Sequence, residues 1–153
     1  MEIRTILLPT DFSEFARGAV PVAAEFARLL GARVLCLHVV EPVVPPVGWT
    51  PTGEPLPVAD FGGQLDEAAG REMPTFTRDE GLEGLEVEEL VVHGEPASEI
   101  VRVAEERGVG LIVISSHGRT GLGRIIFGST AESVVRHAHC PVLVVKPPSG
   151  SDE

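Results

Sequence analysis

Five short runs of the chain are rich in apolar residues: IRTILL (3–8), RVLCLHVV (33–40), LEVEELVV (85–92), LIVIS (111–115) and PVLVVK (141–146). Most are continuously apolar, as strands covered on both faces of a parallel sheet should be. The third alternates, which predicts an edge position. The intervening segments carry helical periodicity. After Ser13, a good N-cap, Phe15, Ala19, Val22, Phe26 and Leu29 recur at helical spacing until Gly31. Pro21 falls inside that run and predicts a kink. Pro96 opens a helix whose face is Ala97, Ile100, Val101 and Ala104, ended by Gly108. STAESVVRHA predicts a last helix, with Ser129 and Glu132 in capping-box spacing. A weaker helical pattern around 64–80 contains Gly70 and Pro74.

Segment 41–63 breaks the alternation. It holds six of the thirteen prolines, the only tryptophan (Trp49) and no helical period. We read it as a mobile flap, since long structureless loops are usually functional. Alternating strands and helices with right-handed crossovers predict one α/β domain, a doubly wound parallel sheet with helices on both faces. The expected extent is 1–147, with 148–153 as a disordered tail.

Composition narrows the function classes. Hydrophobic residues at 43% and charged residues at 23% are ordinary for a soluble domain. No apolar run reaches membrane-spanning length, and the N-terminus lacks the pattern of a signal peptide. Cys36 and Cys140, in or beside apolar segments, read as reduced thiols, so a cytoplasmic location is expected. A formal charge of −11 argues against a general nucleic-acid binder. The charge is uneven, however. Residues 54–107 carry fifteen acids against four arginines, whereas 111–146 carry Arg119, Arg124, Arg136 and Lys146 against Glu132 alone. That local positive balance suits a small anion.

The positive segment contains SSHGRTGLGRIIFGST (115–130). GRIIFGST has the glycine spacing of a P-loop, but Ser129 stands in the lysine position and the loop follows the fourth strand, not the first. GRTGLG fails as a dinucleotide fingerprint on its spacing and its missing acid. A physical reading survives. Gly128 leads into a helix N-terminus, whose free N–H groups and dipole favour an anion. Ser129 adds a hydroxyl. Thr10 and Asp11, after the first strand, fall at the same sheet edge, where Asp11 could meet a ribose hydroxyl or a magnesium ion. The bland alternative is that Asp11 and Ser13 only cap a helix and the glycines only make turns. HAHC (137–140) lacks the partner cluster of a structural zinc site and reads as cations at a helix end. His38 reads as a hydrogen-bonded core histidine. His117 is placed beside the anion, with no acid or nucleophile to make it a general base.

LLPTDFSE, LCLHVVEP and the block from Ser115 to Lys146 together resemble the universal stress protein family, over nearly the whole chain. The resemblance implies a five-stranded sheet in the order 3-2-1-4-5, usually in a homodimer, here paired through 141–146. One branch of that family binds ATP through Gly-x2-Gly-x9-Gly-Ser/Thr; another lacks the motif and binds no nucleotide. Gly118, Gly128 and Ser129 match the motif, while Ser115 takes the place of its first glycine. Serine is the smallest polar replacement, and its hydroxyl could donate to a ligand. By resemblance, Pro9, Thr10 and Asp11 border the adenosine and Val39 offers backbone contacts to adenine. Ser115, Ser116, His117, Gly118 and Arg119, with Gly128, Ser129 and Thr130, surround phosphates that carry Mg2+. The implied function is an ATP-binding stress-response module that acts through partner proteins and is not an enzyme. The alternative is a nucleotide-free dimeric scaffold.

Overall fold

The structure, a computed structural model, describes residues 1–43, 48–55, 61–117 and 127–148. Its order is β1 (Thr5–Pro9), α1 (Glu14–Arg17), α2 (Val20–Leu30), β2 (Arg33–Val40), α3 (Phe61–Thr77), a 3₁₀ turn (Glu80–Leu82), β3 (Val87–His93), α4 (Pro96–Glu106), β4 (Leu111–Ser115), α5 (Ser129–His137) and β5 (Val142–Val145). All four strand pairings are parallel, in the order β3-β2-β1-β4-β5.

Alternation along the central strands divides the core between two faces. Ile6 and Leu8, with Val34, Cys36 and Val113, pack against Val20, Ala23, Ala24 and Ala27 of α2 and Met73 and Phe76 of α3. Leu7, Leu35, Leu37, Ile112 and Ile114 pack on the opposite face against α4 and α5. The continuous apolar runs therefore reflect burial on both sides. The alternating third strand lies at an edge, as its pattern predicts.

Three expectations are corrected. The helix after Ser13 is two helices, not one kinked helix. Its first turn ends at Gly18, and Pro21 occupies the first turn of α2, where a missing N–H costs nothing. Segment 41–63 is not structureless throughout. Around Thr50 a tight turn closes: the Thr50 amide donates to the Glu54 carbonyl (2.8 Å), the Gly53 amide donates to the Thr50 carbonyl (2.9 Å), and Trp49 pairs with Pro55. Helix α3 already begins at residue 61. Finally, Ser129 is not an N-cap. Gly128 holds that position, and no capping box forms.

Helix α3 runs through both Gly70 and Pro74. A proline inside a helix costs roughly 3 kcal/mol, and burying large side chains offsets it at about 1.5–3 kcal/mol each. Here Met73 and Phe76 are both within 2% of complete burial. Packing overrides propensity at this point. Among the described residues no helix is long and apolar enough to cross a membrane. The tail beyond Pro148 lies outside the described residues.

Candidate functional site

A missing backbone donor opens the site. Strands β1 and β4 pair only as far as Leu7 with Ile112, although β4 continues to Ser115. Along β1 the hydrogen-bonding direction alternates: the Thr5 carbonyl accepts from Gly110 on the β4 side, and the Thr10 amide donates to Leu37 of β2 (2.8 Å). By that alternation Pro9 faces β4, and proline has no N–H for the next rung. The strands part there. The gap falls between β1 and β4, where the strand order reverses, which is where open α/β sheets bind ligands.

The adjoining strand lends backbone groups to the gap. Along β2, Arg33 and Leu37 bond to the β1 side, while Val34 and Val40 bond to the β3 side through Glu86 and Gly94. Val39 therefore directs its amide and carbonyl toward β1, past the end of that strand. One donor and one acceptor are left beside each other at the cleft wall.

The cleft has a volume of about 520 Å³ and is bordered by three groups. Pro9, Thr10 and Asp11 form one border; His38 to Glu41, with Val43 and Leu65, form the second; Ser115 to His117 and Gly128 to Ala131 form the third. A volume in this range suits a small organic ligand. Of the expected site residues, the structure brings together Pro9, Thr10, Asp11, Val39, Ser115, Ser116, His117, Gly128, Ser129 and Thr130. Gly118 and Arg119 lie outside the described residues.

The turn after β1 is held at every residue. Thr10 Oγ1 accepts the Phe12 amide (2.9 Å), Asp11 Oδ1 accepts the Ser13 amide (2.9 Å), and Ser13 Oγ accepts the Ala16 amide (3.2 Å). Phe12 adopts φ 65°, a left-handed conformation uncommon for a bulky residue. Its ring is fixed against His38, with centroids 4.3 Å apart, and edge-on to Phe76 at 6.2 Å. His38 Nδ1 lies 2.8 Å from the Thr10 carbonyl. A carbonyl only accepts, so Nδ1 carries a proton and donates it. Ser13 is the N-cap of α1, and Asp11 braces it by accepting its amide while also bordering the cleft.

The opposite border departs from expectation at Ser115. Its hydroxyl does not reach toward a ligand but donates to the His117 carbonyl (2.9 Å), closing a turn on itself. The side chain that replaces the motif glycine is therefore folded back. Ser116 is fully buried, and its carbonyl accepts the Gly128 amide at 2.6 Å, tying α5 to the end of β4. Gly128 has φ −68° and ψ 155°, an extended conformation open to any residue. A requirement for glycine at that position is one of space, not of dihedral angle.

Among the described residues no side chain caps α5. The amides of its first turn have no intrahelical acceptors, and the Ser129 and Thr130 hydroxyls stand beside them. The only fixed charges on the described cleft border are the acids Asp11 and Glu41. Among the described residues, what an anionic ligand can use here is the helix dipole, backbone amides and His117, or a cation that it brings with it. Sequence reasoning missed Glu41, Val43 and Leu65. Chain continuity past the end of β2 was the available signal for Glu41. Leu65 carried none, because α3 reaches the cleft only through tertiary packing.

Residues 2–146 match the Universal stress protein family. Universal stress protein MJ0531 of Methanocaldococcus jannaschii is 35% identical over 145 residues, 95% of this chain and 83% of that protein. The structure of MJ0577, from the same organism, superposes with a TM-score of 0.77 at 32% identity, covering 96% of this chain and 98% of that one. The universal stress protein from Archaeoglobus fulgidus in complex with dAMP gives a TM-score of 0.68 at 28% identity, covering 95% and 100%. With a match across almost its full length and the 3-2-1-4-5 sheet in place, the chain belongs to the universal stress protein family.

Proposed function

We propose that the cleft binds an adenine nucleotide, ATP with Mg2+ in particular, and that the chain works as a nucleotide-responsive stress module through protein partners. The observation that carries this reading is the convergence, at one switch point, of a backbone donor–acceptor pair at Val39 and a helix N-terminus at Gly128–Ala131 that no side chain caps among the described residues. The first suits the hydrogen-bonding edge of a purine, and the second suits phosphate oxygens. The dAMP complex of the Archaeoglobus relative supports the same assignment. Asp11 and the Ser129 and Thr130 hydroxyls offer the oxygen ligands that a nucleotide-borne magnesium ion accepts.

No general base with an orienting acid borders the cleft among the described residues, and we assign the chain a binding role and not a catalytic one. Its cytoplasmic setting and its homodimerisation through the last strand belong to the same proposal. Titration of purified protein with Mg-ATP and with AMP, read by calorimetry and thermal shift, tests it. Binding should raise the melting temperature with ligand concentration. Gly128→Val should weaken Mg-ATP at least tenfold, about 1.4 kcal/mol, with the ligand-free melting temperature little changed. If neither nucleotide binds at millimolar concentration, the chain is a nucleotide-free scaffold instead.

A further inference from the structure

The Ser115–Ser116–His117 turn is held more firmly than a passing loop requires. Ser116 is buried completely. Its amide donates to the Val145 carbonyl (2.9 Å), and its carbonyl accepts from Gly128 (2.6 Å). Its hydroxyl lies 2.8 Å from His117 Nδ1. Ser115 grips the backbone of the same histidine through the His117 carbonyl (2.9 Å). Phe15 lies against the imidazole, with ring centroids 5.8 Å apart. His117 is thus constrained at its backbone, at one ring nitrogen and along one side of its ring, and it borders the cleft.

We propose that Ser116 is a positioning residue that sets the tautomer of His117 and makes its Nε2 a fixed hydrogen-bond donor to a ligand phosphate. This rests on the nucleotide reading of the same cleft. The chemistry follows from the donor inventory. A serine hydroxyl both donates and accepts, whereas a phosphate oxygen without a proton only accepts. When the Ser116 hydroxyl donates to Nδ1, the ring proton resides on Nε2, the nitrogen that Ser116 does not engage. The neutral imidazole then presents an N–H to an anion without first being protonated. Ser115 holds the backbone of the turn while Ser116 sets the ring. The serine at the motif's first glycine is then a brace on the site and not an intrusion into it.

The decisive readout is the tautomer. Protein labelled with 15N-histidine, observed above the titration range of imidazole by long-range 1H–15N correlation, should show His117 as the Nε2–H form with and without Mg-ATP. Ser116→Ala should mix the two tautomers and weaken Mg-ATP about tenfold, the scale of one hydrogen bond to a charged group. Ser116→Thr, which keeps the hydroxyl, should restore both, with melting curves reporting that each variant is folded. In a His117→Ala background Ser116→Ala should add no further loss, because its effect runs through the ring. An Nδ1–H tautomer in the wild type overturns the inference whether or not nucleotide binds. So does an undiminished affinity in Ser116→Ala, or a loss that persists without His117. Failure of the wild type to bind Mg-ATP is a different result: it overturns the nucleotide reading, and the donor role with it, while the tautomer still reports whether Ser116 sets the ring.

Discussion

Cys36 and Cys140 are the same residue type in one chain with different prospects. Cys36 has no exposed surface, and burial, reinforced by nearby Glu89, pushes its thiol up to about 12. Desolvation also raises the thiol of Cys140, which is only half-buried at the end of the chain's last loop. The thiolate is the reactive form. In native protein treated with iodoacetamide at neutral pH, Cys140 should therefore label first and Cys36 only on unfolding, as read by peptide mass spectrometry. Early labelling of Cys36 would mean that the α2–α3 face opens locally. At this scale the sequence already placed Cys36 in a core strand. The full extent of its burial came from α2 and α3 lying over it, which no local pattern states.

At the scale of elements, the ends of helices divide between structure and ligand. Helix α4 is capped by the Glu95 carboxylate, which accepts from the Ala97 (3.2 Å) and Ser98 (2.7 Å) amides. Bonding to Ser98 is the main cause that holds its pKa below the ordinary glutamate value. A depressed folded-state value means that this stabilisation is present above the unfolded pKa of about 4.3 and fades as pH falls through the folded one. Glu95→Ala should cost about 1 kcal/mol at pH 7, as helix caps do. The melting-temperature gap between the variant and wild type should close in acid; a gap that stays constant below pH 4 would count against a charged cap. Among the described residues helix α5 has no such side chain. The capping-box spacing of Ser129 and Glu132 concealed this, because the helix begins at Ser129 itself and Gly128 takes the cap. Pro21 misled for a similar reason. Periodicity cannot tell one kinked helix from two helices when a short connection keeps the same face turned inward.

Over the whole molecule, the two sheet edges are protected differently. Strand β3 carries Glu88 and Glu89, with Arg33 and Arg107 paired to Glu88, and charge of this kind deters edge-to-edge association. Strand β5 is four apolar residues, each partly exposed. Pro141 and Val145 direct their carbonyls to β4, so Val142 and Val144 turn their backbone groups outward. If the homodimer forms by pairing β5 edges, Val144→Pro removes an outward N–H and spares the β4 ladder. Wild type should then elute as a dimer in light scattering at micromolar concentration and the variant as a monomer, with their melting temperatures separated only by the lost interface. A dimeric variant would place the interface elsewhere. Strand and helix alternation, the edge position of β3 and the glycine–serine entry to α5 were all legible in the chain, because burial on one or two faces and the dihedral limits of proline and glycine act over a few residues. The order of the strands and the backbone role of Val39 were legible only through the resemblance to the family, and the cleft where Pro9 leaves a rung unmade and the inward turn of Ser115 were settled only by folding. Each depends on which distant segment lies alongside, and a backbone group is free or paired according to its neighbour in space, not in sequence.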